Sequence, residues 1–137
     1  MKPSSSRVAR RFVAARKNLN QFIAEWLLAV HGAMTDTIWG MDWGQGGNPV
    51  IGSNTLDWTL YSYDVTGPPG GKMKVDKEVG VKIRLELVSL DRLEVTYEVF
   101  AGRPVKRGTS RYDANLPVSA LGDQIIEDAS AVFERAF

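Results

Sequence analysis

Gly67-Pro68-Pro69-Gly70-Gly71-Lys72 is the segment of this chain that comes nearest to a chemical signature. A glycine-rich turn ending in lysine is how P-loop proteins wrap a nucleotide phosphate. The spacing denies that role. A phosphate-binding loop runs glycine, four residues, then glycine, lysine and a hydroxyl side chain. Here Thr66 stands at the first glycine position and Met73 at the magnesium-binding hydroxyl. The residues after Lys72 have the pattern of a strand, so the helix N-terminus that completes a phosphate cradle is not expected either. The segment reads as a hairpin loop.

Other catalytic chemistry is sparse. The absence of cysteine removes disulfides, thiolate nucleophiles and cysteine-ligated metals, and is compatible with a reducing compartment. A single histidine, His31, removes most other metal constellations. It falls where the first helix is expected to end, and an imidazolium is favoured at that end of the helix dipole. A general base would need a hydrogen-bonded partner that the sequence does not supply. Of the carboxylates, Asp57, Asp64 and Glu98 would have to furnish any glycosidase-like acid pair, but they alternate with apolar residues as on a solvated strand face. No catalytic, cofactor-binding or metal-ligating residue is assigned, and no cofactor is expected.

Two features retain recognition chemistry. The stretch from Ala33 to Asn48 is rich in glycine, without usable period, and reads as a long loop carrying Trp39, Asp42 and Trp43. Such tryptophans can stack on a sugar, a base or proline, with the carboxylate adding polar recognition. The competing reading, which the burial habit of large aromatics favours, tucks them over the open end of a sheet.

The second feature is charge. Lys2, Arg7, Arg10, Arg11, Arg16 and Lys17 all precede the first acidic residue, Glu25, although the formal net charge of the chain is only +1. In the same stretch Val8, Phe12, Ala15, Leu19, Ile23, Trp26 and Val30 recur at steps of four and three, one stripe of a helix. A basic amphipathic helix can dock on its own fold, a partner, nucleic acid or an anionic membrane. Arg103, Lys106, Arg107 and Arg111 form a second basic group. Together with Arg7, Arg10, Arg11 and Lys17 they can make one electropositive contact face. Alternatively, the N-terminal cations neutralise an acidic C-terminal helix and the others guard a sheet edge. A pI of about 8.0 lies below the usual basic-domain signal, which places nucleic acid behind protein as the partner.

These residues need elements to position them. Ser4 to Ser6 offer N-caps and His31-Gly32 a C-cap for a helix over about 5–31, with Asn18 and Gln21 spaced for a fresh start within it. Alternation predicts a strand from Leu56 to about Val65. A hairpin of Val79–Leu87 with Leu93–Val99 comes next, turning at Ser89 to Arg92, and then a charged edge strand over Val105–Tyr112. Val118, Leu121, Ile125, Ala129, Val132 and Phe133 mark a final helix over about 118–136, acidic on its other face. An antiparallel sheet with one apolar face needs a cover, and the terminal helices supply it. The expected fold is α+β: a two-layer sandwich, a sheet of about four strands over 50–113 covered on one face by both helices, in a single domain spanning 1–137.

A composition of 44% hydrophobic and 24% charged residues is that of an ordinary globular protein, and a chain of this length can bury roughly 70% of its unfolded surface. The longest apolar run, Trp26 to Val30, is far short of the ~20 residues of a membrane span. Met1 to Lys17, acid-free and rich in serine and arginine, has the character of a mitochondrial presequence as a minor alternative. The stretch Ser5-Ser6-Arg7-Val8-Ala9-Arg10-Arg11-Phe12-Val13-Ala14 resembles the opening of many uncharacterised proteins encoded by tailed bacteriophages. That resemblance carries no functional residues and implies a small viral protein whose surfaces serve assembly, cytoplasmic or virion-associated.

The leading expectation is a non-catalytic interaction or structural module of a larger or oligomeric assembly, joined to a protein partner or a second copy through the basic helix or the edge strand. One alternative is a small ligand-binding protein or enzyme with a pocket between helices and sheet, lined by Trp26, Trp58 and Tyr97. Another is a nucleic-acid-contacting protein.

Overall fold

The two runs with the strongest alternation form the centre of the sheet. In the computed structural model, which describes residues 19–38, 43–45, 47–64 and 74–137, β4 (Lys74–Ser89) and β5 (Arg92–Ala101) are antiparallel, with Ile83 opposite Tyr97 and Leu85 opposite Val95. On one flank β3 (Thr55–Asp64) pairs with β4, setting Trp58 against Ile83. On the other β6 (Pro104–Asp113) pairs with β5, setting Gly108 against Tyr97. The short strands β1 (Trp43–Gln45) and β2 (Val50–Ile51) share the outer edge of β3. The sheet therefore has six strands in the order β1-β3-β4-β5-β6, with β2 beside β3, rather than about four. Strands of two and three residues are too short for alternation to register in a sequence.

The first described helix, α1, spans Leu19–Ile38 and does not stop at His31-Gly32. Its buried stripe runs through Phe22, Ile23, Trp26, Leu27 and Val30 and continues at steps of four to Met34 and Ile38. Burying those two side chains outweighs the cost of about 1 kcal/mol for a mid-helix glycine. The Thr35 hydroxyl donates back to the His31 carbonyl at 2.9 Å, and the Thr37 hydroxyl oxygen lies 2.9 Å from the Ala33 carbonyl. His31 is thus an interior helix residue rather than a cap, and the expected loop over 33–48 is helical as far as Ile38. The N-terminal part of the expected helix, with Arg7, Arg10, Arg11 and Lys17, lies outside the described residues.

The closing helix α2, Val118–Arg135, buries Leu121, Ile125, Ile126, Ala129 and Val132. These residues, the α1 stripe and the apolar positions of β3, β4 and β5 belong to one core cluster. Both described helices therefore cover one face of the sheet, and they touch. A Cβ on Gly122 would come within 2.6 Å of the Ala33 Cβ and 2.7 Å of the Ala33 carbonyl carbon. Close by, the Thr37 hydroxyl donates to Asp123 Oδ1 at 2.5 Å. On the sheet side, a Cβ on Gly108 would meet Val132 Cγ2 at 3.2 Å. Small residues thus let α2 sit close to both neighbours.

One substitution at two positions separates packing from helix propensity. Gly32, with nothing within 4 Å of its missing Cβ, is expected to gain about 0.5–1 kcal/mol on Gly32→Ala. Gly122→Ala is expected to cost about 1–3 kcal/mol by overpacking. Urea denaturation midpoints moving in opposite directions would bear this out, and a Gly122→Ala midpoint at or above the parent value would contradict the close approach. In the same assay Ile83→Ala is expected to cost about 2–5 kcal/mol.

Candidate functional site

Helices and sheet share one core cluster of buried apolar side chains. Trp26, Trp58 and Tyr97, named above as the lining of a pocket between helices and sheet, are buried core side chains. The Trp58 indole donates to the Gly47 carbonyl at 3.1 Å, and His31 stands edge-on to the Trp58 ring at 4.4 Å between centroids. His31 Nε2 has no hydrogen-bond partner among the described residues. Burial lowers the imidazole pKa below its ordinary 6.5, favouring the neutral ring.

The core also holds a polar relay that the sequence did not announce. Tyr97, at 0% exposure, and Tyr112, at 9%, place their hydroxyls 2.6 Å apart. Tyr112 donates onward to Asp128 Oδ2, whose other oxygen accepts from Gln124 Nε2 at 3.1 Å. Because the carboxylate can only accept, Tyr112 spends its proton there and Tyr97 must donate to Tyr112. Burial pushes both phenols well above their usual 10, and for Tyr112 the hydrogen bond to Asp128 raises it further. The chain of hydroxyls ties β5 and β6 to α2 and ends at the partly buried Asp128. The pairing register brings the two tyrosines together, Tyr112 lying opposite Leu93, four residues from Tyr97, and the packing of α2 adds Asp128.

Of the tryptophan loop, Trp43 is described and sits back on the fold. Its indole donates to Ser130 Oγ at 3.2 Å, and its ring meets Phe133 edge-on at 5.0 Å. Trp39 and Asp42 lie outside the described residues. The glycine-rich Gly67 to Lys72 loop also lies outside them, but it separates antiparallel β3 and β4, a hairpin rather than a strand-to-helix phosphate site.

The uncovered face of the sheet carries the exposed polar groups in transverse rows. Registers place Thr59, Lys82, Glu98 and Arg107 in one row, Asp57, Arg84, Thr96 and Thr109 in the next, and Thr55, Glu86, Glu94 and Arg111 in a third. Arg84 Nε is 3.8 Å from Asp57 Oδ1, and Arg111 Nε is 3.2 Å from Glu94 Oε2. Exposed pairs of this kind contribute about 0–1 kcal/mol each. Across the β4–β5 pair Lys82 faces Glu98 and Arg84 faces Thr96. Glu86 directly faces Glu94, a repulsive pairing that Arg111 offsets from the adjoining strand. A shallow groove of about 340 Å³ crosses this face, with Asn48, Thr59, Lys82, Arg84, Glu98 and Arg107 along it.

The second basic group divides. Arg107 and Arg111 belong to the open face. Lys106 pairs with the buried Val99 and so lies on the helix side, and Arg103 sits in the turn between β5 and β6. These four do not make one continuous electropositive face, because successive strand residues point to opposite sides. What they share is proximity to β6, the last strand of the sheet, on whose outer side no described strand lies. No helix among the described residues is long and apolar enough to cross a membrane. The chain matches no family model, no curated protein and no solved structure.

The tyrosine relay gives the fold a pH signature. A phenol with a pKa higher folded than unfolded favours the native state below the unfolded value and forfeits that advantage as pH rises past it. Stability should therefore fall above about pH 10, at up to about 1.4 kcal/mol per pH unit for each of Tyr97 and Tyr112. His31, lowered in the folded state, weakens the fold as pH drops through 6.5. At neutral pH, Tyr112→Phe is expected to cost about 1–3 kcal/mol, since it removes the acceptor of Tyr97 and the donor to Asp128. Tyr97→Phe, at the end of the relay, is expected to cost less. Denaturation midpoints across the pH range would check these orderings, and an alkaline limb unchanged in the double phenylalanine variant would remove the relay as its cause.

Proposed function

We propose that this protein is a non-catalytic interaction module, a component of a larger or oligomeric assembly, and that its contact surface is the edge of the sheet at β6. The observation that carries this reading is the state of that strand. It spans Pro104–Asp113, ends the sheet, and presents exposed Lys106, Arg107 and Arg111. An open edge is a template for another chain, and charged side chains on it restrict which chains can pair. The groups with the strongest latent chemistry, the tyrosine hydroxyls, are by contrast enclosed in the core. The cationic N-terminal segment, with Arg7, Arg10, Arg11 and Lys17, supplies a second contact in this reading, toward an anionic protein surface. The viral character implied by the opening residues fits an assembly role.

A second reading has its own observation. The groove on the open face mixes Lys82, Arg84 and Arg107 with Asp57 and Glu98, and a small ligand bearing both charges suits such a lining. Contact with nucleic acid draws less support, since the described basic residues divide between two sides of the sheet and acidic side chains stand among them.

A photo-crosslinking residue at Thr109 tests the interaction reading in the source cells. Adducts heavier than the 15.1 kDa chain are expected from Thr109 and not from Glu127 on the far surface of α2. Changing Arg7, Arg10 and Arg11 together to Gln is expected to weaken association while moving stability by no more than about 0.5 kcal/mol, with a salt dependence characteristic of exposed charge. No adduct from Thr109 or from a probe at Arg10 would defeat the interaction reading. Saturable binding of a small zwitterion abolished by Lys82→Ala would favour the groove.

A further inference from the structure

The direction of charge along the rows of the open face says what kind of strand the β6 edge admits. In the Thr59 row the sequence outward is Lys82, Glu98, Arg107, alternating in sign from β4 to β6. In the Thr55 row it is Glu86, Glu94, Arg111, again ending on a cation. The next position outward in both rows is empty of any described strand. Arg107 has no ion pair among the described residues. Arg111 keeps its side chain 68% exposed although it touches Glu94. Cross-strand neighbours of opposite charge stabilise pairing, and like charges oppose it.

We propose, building on the interaction reading above, that β6 accepts an extended acidic segment of a partner protein as a seventh strand, with carboxylates four residues apart opposite Arg107 and Arg111. Main-chain hydrogen bonds supply affinity in this mode, and alternate side chains supply selection. On the other face the added strand runs past Lys106, Gly108 and Ser110, where α2 already lies close, with Val132 against Gly108. The same cations select against a second copy of this chain. An antiparallel copy centred with Thr109 opposite Thr109 sets Arg107 against Arg111 twice, a repulsion that works as negative selection at a sheet edge. The Pro104 that begins β6 and the turn after Asp113 bound the length of segment that fits.

The experiment uses the full chain and three probes: a threonine–valine peptide with two glutamates four residues apart, the same peptide with lysines in their place, and the protein alone at rising concentration. Backbone amide shifts are read by NMR. The glutamate peptide is expected to shift amides of β6, to bind at least about tenfold tighter than the lysine peptide, and to weaken as salt rises. Arg107→Glu with Arg111→Glu is expected to invert the preference. Arg107→Glu alone, which leaves the Arg111–Glu94 contact in place, is expected to reduce it, with the remaining amide spectrum confirming the fold. Equal binding of both peptides at β6 would overturn the acidic partner while leaving edge docking standing. Shifts at β6 on concentrating the protein alone, insensitive to peptide, would overturn it in favour of a second copy. No shift at β6 with either peptide would overturn the inference and remove the edge from the interaction reading too.

Discussion

One-sided apolarity of the sheet is the constraint on which the rest of this structure depends. Leu56, Trp58, Leu60, Val81, Ile83, Leu85, Leu93, Val95, Tyr97 and Val99 all point to the same side and are sealed there. A surface of that extent left in water would cost far more than a small domain's whole stability margin. Both described helices therefore lie on it, and their closeness is set by what they can omit: a side chain at Gly122 between the helices and another at Gly108 beneath α2. The opposite side, on which no described helix lies, carries charged and polar side chains instead. Core and candidate contact surface are two readings of one period-two pattern.

Within that core the tyrosine relay is a different kind of bond between layers. Hydrophobic contacts between α2 and the sheet are not directional and would tolerate a small slide of the helix. The hydroxyl chain from Tyr97 through Tyr112 to Asp128 fixes where along β6 the helix sits, because a buried hydroxyl that loses its partner carries a desolvation penalty. Its chemistry is thus turned inward, toward alignment.

Much of this architecture is legible in the sequence. Alternation places β3, β4, β5 and β6, the turn between β4 and β5 and the edge position of β6. Helical periodicity places α2, and the opposed needs of apolar sheet face and apolar helix stripes predict a common covered side. Three things are not legible, for separate physical reasons. The end of α1 escapes because Gly32 carries a local signal to stop, which the burial of Met34 and Ile38 overrides from outside the helix. The strands β1 and β2 are too short to show a period. The relay is hidden because Tyr97, Tyr112 and Asp128 become neighbours only through the β5–β6 register and the crossing of α2. Composition identifies the candidate edge residues Arg103, Lys106, Arg107 and Arg111; alternation divides Lys106 from Arg107 and Arg111, but which side each takes is set by the β5–β6 register.

The topology also orders events during biosynthesis. Strands β3, β4, β5 and β6 pair with one another in sequence order, so this part of the sheet is assembled from local contacts whose closure entropy is small. The two helices that cover it meet across long sequence separation, Thr37 reaching Asp123 eighty-six residues away. During synthesis the sheet can be complete while α2 is still inside the ribosome, and over that interval the part of its apolar face that α2 covers is bare. Such partly covered intermediates are the aggregation-prone species of small domains. How long that face stays bare depends on how promptly α2 docks once it emerges, a kinetic quantity that a more stable finished fold does not by itself improve.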